Sequence, residues 1–222
     1  MLKAQDLMSI DLSEIKGILV DIDDTLYSYT KPHQIALSSC YSKFNNMYPD
    51  LFSANEFSAL YRDARTSITH RLKFSGSCRS RLLAFQLILE NLKNSSAVNI
   101  YVNALRLEEL YWNELILHMN RDEEVFQFLN HCHTMSLKIC AVSDMQASIQ
   151  IRKLEQLGYK NLLLVTSEEV GCEKPNPKIF KQALMKIECT AQNTIMIGDN
   201  FDKDIVGAKN IGIKAFQISL MD

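Results

Sequence analysis

The chain has 222 residues, 47% of them apolar and 23% charged, with a formal net charge of −2. That length suits one large domain, or a core domain carrying a smaller one, and the composition is that of a globular protein rather than a disordered chain. The balance of charge gives no basic field for nucleic acid, and the longest nearly apolar stretch, Leu82 to Leu89, is interrupted by Gln86 and far too short for a membrane span.

Residues 1 to 16 include Lys3, Asp6, Asp11, Glu14 and Lys16 and contain no apolar signal segment, so a cytoplasmic protein is expected. The first element is a short strand at 17–21, GILVD, an apolar run that ends on a carboxylate. Asp23 and Asp24 follow at once. Three acids at the end of a buried strand cost several kcal/mol if nothing pairs with them, so this turn needs an explanation.

Residues 31–118 show four helical segments, at 32–47, 54–72, 78–93 and 97–118, and no convincing strand. Ser53-Ala54-Asn55-Glu56 is a capping box that opens the second, and Ser75-Gly76-Ser77 separates the second from the third. Arg79 and Arg81 then fall in the opening turns of the third helix, where the positive end of the helix dipole disfavours cations. With backbone N–H groups free at that entry, they are candidates for holding an anionic part of a substrate. A helical block inserted after the first strand is read as a subdomain, with 1–30 and 119–222 forming the core.

A further helix carries Val125, Phe126, Phe128 and Leu129 and ends near His131-Cys132-His133. Side chains two apart on a helix do not face each other, so the histidines are read as helix-end residues rather than metal ligands. Strands follow at 137–143, 161–167, 194–199 and 213–219, alternating with helices near 147–157, 177–187 and 203–210. This βαβ alternation implies a three-layer, doubly wound parallel sheet. Gly158 is placed as a helix stop, Asn176-Pro177 as an N-cap followed by proline at the first helical position, and Gly212 as the end of the last helix. The six cysteines (40, 78, 132, 140, 172, 189) are scattered without a C-x-x-C pair and are read as reduced thiols.

Polar residues interrupt these strands at one end only. Asp21 and Asp23 end the first, Ser143-Asp144 the second, and Gly198-Asp199 the fourth; Asp204 lies five residues after Asp199, and Lys174 just precedes a helix start. In a doubly wound sheet the C-terminal strand ends share one crevice. Up to four carboxylates against one lysine, with no histidine or cysteine beside them, select a hard cation such as Mg²⁺.

These motifs make the chain resemble the haloacid dehalogenase superfamily, in the subclass with a helical cap inserted after the first strand. Asp21-Ile22-Asp23-Asp24-Thr25-Leu26 matches the first motif, D-x-D-x-T. Ser143 matches the second, Lys174 in EKPNPKIF the third, and Asp199 with Asp204 in GDNFDKD the fourth. The resemblance implies an Mg²⁺-dependent phosphatase acting on a small phosphorylated metabolite through an aspartyl-phosphate on Asp21. It implies that Asp23 is the general acid and base, with a proton affinity raised by burial among like charges. It assigns phosphate binding to Ser143, Asp144 and Lys174, and Mg²⁺ to Asp21, Asp199 and the Asp23 backbone carbonyl. Asp204 and Thr25 support that site from behind. Position 144 is Asp where many relatives have Asn, which adds a carboxylate that would repel an anion or bind a hydroxyl or amine. A phosphomutase would keep the same four motifs; a 2-haloacid dehalogenase would need no acid at Asp23; a non-catalytic binding module would lack one of the motif residues.

Overall fold

The computed structural model describes residues 1–73, 75–92, 97–160 and 162–220. The chain forms two compact units, Met1–Tyr29 with Met119–Asp222, and Thr30–His118.

The first unit is built on a six-stranded parallel sheet: β1 (Leu2–Lys3), β2 (Gly17–Val20), β3 (Lys138–Ser143), β4 (Leu163–Thr166), β5 (Thr194–Gly198) and β6 (Lys214–Ser219). The order is β1-β6-β5-β2-β3-β4. β2 is central, with Ile18 opposite Ile139 of β3 on one side and Ile195 of β5 on the other. Its four residues are all buried, as are Thr194–Gly198 of β5. Side chains alternate between sheet faces, so burial of both parities means that both faces are covered, as the unbroken apolar runs require.

One face is closed by α8 (Pro177–Ile187), whose stripe Ile179, Phe180, Ala183 and Ile187 packs on Leu19, Cys140, Val142, Val165 and Met196. Each fully buried side chain of this size contributes about 1.5–3 kcal/mol relative to exposure. Asn176 caps α8 by accepting from Lys178 N, and Pro177 sits at the first turn. α5 (Glu123–Thr134) packs against β3 through Val125, Phe128, Leu129 and Cys132 and is capped by Asp122. His131 and His133 are exposed while Cys132 is buried, so the three do not converge. α6 (Ala147–Gln156) ends before Gly158, which has the left-handed φ of +81° that glycine accepts freely.

Three features had no sequence signal. β1 is two residues long and exists through its pairing with β6, Leu2 to Ile218. α7 (Ser167–Val170) is one turn, held by Thr166 accepting from Glu169 N. The helix expected at 203–210 begins earlier, as a π-helical turn over Phe201–Val206 that continues into α9 (Gly207–Lys209). The first strand also stops at Val20 rather than Asp21. The strand expected from Asn161 begins at Leu163, and Asn161 itself lies outside the described residues, as does Lys93 at the expected end of the third helical segment.

The second unit contains α1 (Thr30–Met47), α2 (Ala54–Arg71), α3 (Arg81–Glu90) and α4 (Ala97–Leu117). Its core follows helical spacing: Ala36, Cys40 and Phe44; Phe57, Tyr61, Ala64 and Ile68; Ala104, Leu107, Tyr111 and Leu115. Aromatic rings meet at its centre, Phe44 with Phe57 at 4.9 Å and Tyr61 with Phe85 at 5.3 Å. The Ser53–Glu56 capping box is present, with Ser53 N donating to Glu56 Oε2 at 2.8 Å. α3 starts later than expected because Ser80, not the Ser-Gly-Ser entry, is its cap: its hydroxyl accepts from Leu83 N at 3.2 Å. Arg79 therefore belongs to a preceding 3₁₀ turn, Gly76–Arg79, and only Arg81 is in the first turn of the helix.

Candidate active site

After Val20 the backbone continues the ladder for one residue, Asp21 N donating to Ile197 O at 2.9 Å, and then turns. Thr25 N and Leu26 N both donate to Ile22 O, and Asp24 takes a left-handed φ of 59° while its carboxylate accepts from Tyr29 N at 2.8 Å. Asp21 and Asp23 are thus displayed by a turn, not by an extended strand. The central strand carries this turn, and the strands on either side of it end in Ser143 and Gly198.

Lys174, 4% exposed, is the hub. Its ammonium donates to Asp21 Oδ1 at 2.5 Å, Asp204 Oδ1 at 2.7 Å and Val142 O at 2.9 Å, which uses all three of its hydrogens. The other Asp204 oxygen accepts from Asn200 N at 3.0 Å. That approach depends on Gly198, where a Cβ would overlap the Asp204 carboxylate. The π-helical turn belongs to the same arrangement: Asn200 caps it through Lys203 N, and Asp204 points back to the strand end.

Asp144 is engaged differently from the expected phosphate contact. Its Oδ1 accepts from Lys174 N at 2.7 Å and its Oδ2 from Lys203 Nζ at 2.6 Å. Lys203 also reaches Glu173 at 3.4 Å. Asp144 therefore fixes the backbone that presents Lys174, and its charge is met by Lys203.

Asp23 has its own cation, one that the motif reading did not find. Lys153 of α6, 1% exposed, donates to Asp23 Oδ1 at 2.5 Å. Tyr27 donates its hydroxyl to the same oxygen. Gln150, fully buried, donates to Asp23 Oδ2 at 3.1 Å and to Ser143 Oγ at 2.5 Å. A signal was available: Gln150 and Lys153 lie on the inward stripe of α6 with Ile149 and Leu154, where apolar residues would be expected.

The two acids of the turn are consequently in opposite electrostatic states. Burial pushes Asp21 well above the usual carboxylate range; Lys174 opposes the shift, while Asp204 and Asp23 add to it. Burial also pushes Asp23 up, but the Lys153 ammonium and the hydrogen bonds from Lys153, Tyr27 and Gln150 outweigh it and hold the group at about 2. The raised proton affinity expected for Asp23 is thus corrected by a lysine 130 residues further along the chain and outside the four motifs. Asp199 is pushed up to about 6 by burial and by Asp204 and Asp24. Burial works against the charge on Lys174, yet Asp204, Asp21 and Asp144 together raise its affinity for its proton.

Oxygens of Asp21, Asp199 and Asp204 lie within 4.8 Å of one another. Asp21, Asp23, Asp199 and Asp204 against Lys153 and Lys174 leave two uncompensated negative charges (4 − 2). An all-oxygen donor set in which Asp204 raises the proton affinity of both Asp21 and Asp199 fits a hard divalent cation such as Mg²⁺. Asp204 joins this cluster directly, whereas the Asp23 side chain is committed to Lys153. Thr25 is fully buried, and its hydroxyl has no partner among the described residues.

Arg81 and Arg79 lie in the helical unit. Arg81 is 8% exposed, its guanidinium 5.2 Å from the Trp112 ring and 5.6 Å from the Tyr111 ring, with Nη1 donating to Arg79 O at 2.9 Å. This is a packed cation in an aromatic core.

The chain is similar in sequence to ribulose-1,5-bisphosphate 5-phosphatase of Halopiger xanaduensis, 27% identical over 200 residues, covering 89% of this chain and 82% of that protein. It is 29% identical over 206 residues to glyceraldehyde 3-phosphate phosphatase of Methanopyrus kandleri, covering 92% of this chain and 84% of that one. In fold it matches a 2-haloacid dehalogenase of Pseudomonas syringae at a TM-score of 0.75 and 19% identity, covering 91% of this chain and 86% of that chain. It matches a HAD phosphatase of Thermococcus onnurineus at a TM-score of 0.68 and 22% identity, covering 92% and 86%. Residues 15–212 match the family described as haloacid dehalogenase-like hydrolase. With that match running from just before β2 to the end of the last helix, the chain belongs to the haloacid dehalogenase-like hydrolases.

Proposed function

We propose that this hydrolase is an Mg²⁺-dependent phosphatase of small phosphorylated metabolites that works through an aspartyl-phosphate on Asp21. The observation that carries the reading is the pair Asp21 and Asp23, one turn carrying two carboxyls with separate lysines. Displacing a halide requires a nucleophile alone, because halide leaves unprotonated. An alcohol leaving from phosphorus needs a proton, and Asp23, held apart from the Lys174 cluster, is the group to give it. Similarity to two phosphatases, over about nine-tenths of this chain in each case, supports the same choice.

Asp21 Oδ attacks phosphorus and the P–O bond to the alcohol breaks, which divides one difficult displacement into two. Lys174 lies against Asp21 and offers positive charge to the phosphoryl oxygens, and Ser143, whose Oγ accepts from Gln150, has its own hydrogen to donate to them. Asp23 protonates the departing oxygen and then takes a proton from the water that cleaves the aspartyl-phosphate. A phosphoryl anion beside Asp23 opposes the Lys153 ammonium and raises the acid's proton affinity for the first of these steps. Asp21, Asp199 and Asp204, with the Asp23 carbonyl, would hold Mg²⁺, which when bound supplies Lewis-acid neutralisation of phosphoryl charge.

The test is phosphate release from a panel of sugar phosphates, phospho-acids and nucleotides in Mg²⁺, repeated in EDTA and with Asp21→Asn. Release that depends on the metal and on Asp21 is expected. Activity that persists in chelator or in Asp21→Asn overturns the reading.

A further inference from the structure

We propose that Lys153 is a positioning residue for the reaction: with Tyr27 and Gln150 it clamps the Asp23 carboxylate into a single orientation and links it to the phosphate-binding Ser143. The inference rests on the phosphatase reading, in which Asp23 gives and takes the proton.

The placement is costly. Lys153 and Gln150, three apart, share the face of α6 that also carries Ile149 and Leu154. Burying an ammonium costs several kcal/mol even when it is paired, and a well-packed apolar residue of similar volume commonly does as well or better for stability. The side chain also passes beside the Tyr27 ring, with Nζ 5.6 Å from its centroid, so that the tyrosine meets the lysine through its face and Asp23 through its hydroxyl.

The hydrogen bonds around Asp23 show what the burial achieves. A carboxylate accepts about four hydrogen bonds. Lys153 and Tyr27 fill two positions on Oδ1, and Gln150 fills one on Oδ2. Three of the roughly four positions are taken from three directions, which fixes the carboxylate plane and leaves one position for the proton in transit. Gln150 is committed in the same way. Only its NH₂ end can face a carboxylate, so its orientation is set, and its two hydrogens go to Asp23 and Ser143. Its Oε1 is buried with no partner among the described residues. A buried orphan acceptor costs about 1–3 kcal/mol, a penalty the amide bears in order to bridge the acid and the phosphate-binding serine.

The experiment is a double-mutant cycle, Lys153→Met with Asp23→Asn, read in single turnover with Mg²⁺ on an alkyl phosphate and on p-nitrophenyl phosphate. Misplacing a catalytic group by about 1 Å costs on the order of 10²-fold. Lys153→Met is therefore expected to slow phosphorylation from the alkyl substrate about 10- to 100-fold with KM nearly unchanged. The loss should be much smaller with p-nitrophenolate, which leaves without a proton, and absent in the Asp23→Asn background. Tyr27→Phe, which removes one hydroxyl from the same carboxylate, should show the same pattern more weakly, and it stands in if Lys153→Met does not fold. The same loss in both backgrounds, equal losses for both leaving groups, or a change in KM alone overturns the inference and leaves the phosphatase reading standing. A wild-type protein without metal-dependent phosphatase activity, or an active Asp21→Asn variant, overturns both.

Discussion

Both units of the chain bury cations, and they do so in opposite ways. In the sheet unit Lys153 and Lys174 end on the carboxylates Asp23, Asp21 and Asp204. In the helical unit Arg81 lies over Tyr111 and Trp112, and Arg65 donates to Ser80 O at 3.1 Å. The lysines sit among more acids than they can neutralise, and the surplus negative charge is what the proposed divalent cation would offset. The arginines meet rings and backbone carbonyls instead, and their charge is felt by His33. A burial pattern alone does not separate the two cases; the identity of the acceptor does.

The largest expected effect is at the surplus of acid. Asp21→Asn keeps the shape and the Lys174 contact but removes the attacking charge, so turnover should fall by about 10⁴-fold or more while the fold survives. EDTA should do the same to the unaltered protein, with Mg²⁺ restoring the rate. Lys174→Met should follow, with a loss on the order of 10²–10³ in kcat, the usual scale for removing one charge-stabilising donor. Arg81→Ala is the matched test in the other unit. It should lower the melting temperature, since a buried cation–π contact and the packing of its stem are together worth about 1–2 kcal/mol, and leave kcat unchanged. A raised KM with an unchanged melting temperature would instead make Arg81 a substrate handle and erase the contrast between the units.

Asp199→Asn separates function from stability within the sheet unit. In chelator the wild-type site holds acids that repel one another, with Asp199 pushed up to about 6 by burial, Asp204 and Asp24. Removing that charge should raise the metal-free melting temperature at pH 7 by about 2–4 °C, the shift that ~1 kcal/mol gives in a chain of this size. The same variant should lose the stabilisation that added Mg²⁺ gives the wild type. A destabilised variant in EDTA would show that Asp199 is structurally paired rather than held in reserve.

Much of this site could be read in the sequence because its residues sit at strand ends, where an apolar run stops on a carboxylate, a serine or a glycine followed by an acid. Asp21, Ser143 and Asp199 are marked that way, while Lys174 and Asp204 stand out by lying beside helix starts in the same crossovers. The parallel sheet followed from βαβ alternation of mostly apolar runs with helix-length segments, while the strand order is a finding of the structure. What stayed hidden depends on pairs distant in the chain. Lys153 meets Asp23 across 130 residues and Lys203 meets Asp144 across 59; the polar residues on the inward stripe of α6 mark Lys153 as unusual but do not name its partner. β1 is defined only by its partner strand, and the start of α3 turned on which of several serines caps it. The surroundings of Arg81 were hidden for a related reason: its place on the helix was legible, but the rings beside it come from α4.

The smallest expected effect sets the two units against each other on one axis, pH. His33, in the helical unit, meets Tyr111 through Nδ1 at 2.7 Å and the Tyr61 ring at 5.9 Å. Burial, then Arg81 and Arg65, lowers its pKa to about 4. An unfolded histidine titrates near 6.5. Between those values the unfolded chain takes up a proton that the folded one refuses, so His33 favours folding fully above pH ~6.5 and progressively less as pH falls toward 4. Asp199 has the reverse sign, because its folded pKa of about 6 lies above that of an unfolded aspartate and acidification through that range favours the folded state. The wild-type pH profile is therefore a partial cancellation, and His33→Gln, which does not titrate, should uncover it. Melting in EDTA at pH 7 and pH 5 should show the wild type losing more on acidification than His33→Gln. Since His33 is only partly buried, screening by solvent keeps the difference near 2–4 °C. Equal losses in the two proteins would mean that the helical unit lets His33 take its proton, and that its aromatic core is looser than the ring contacts imply.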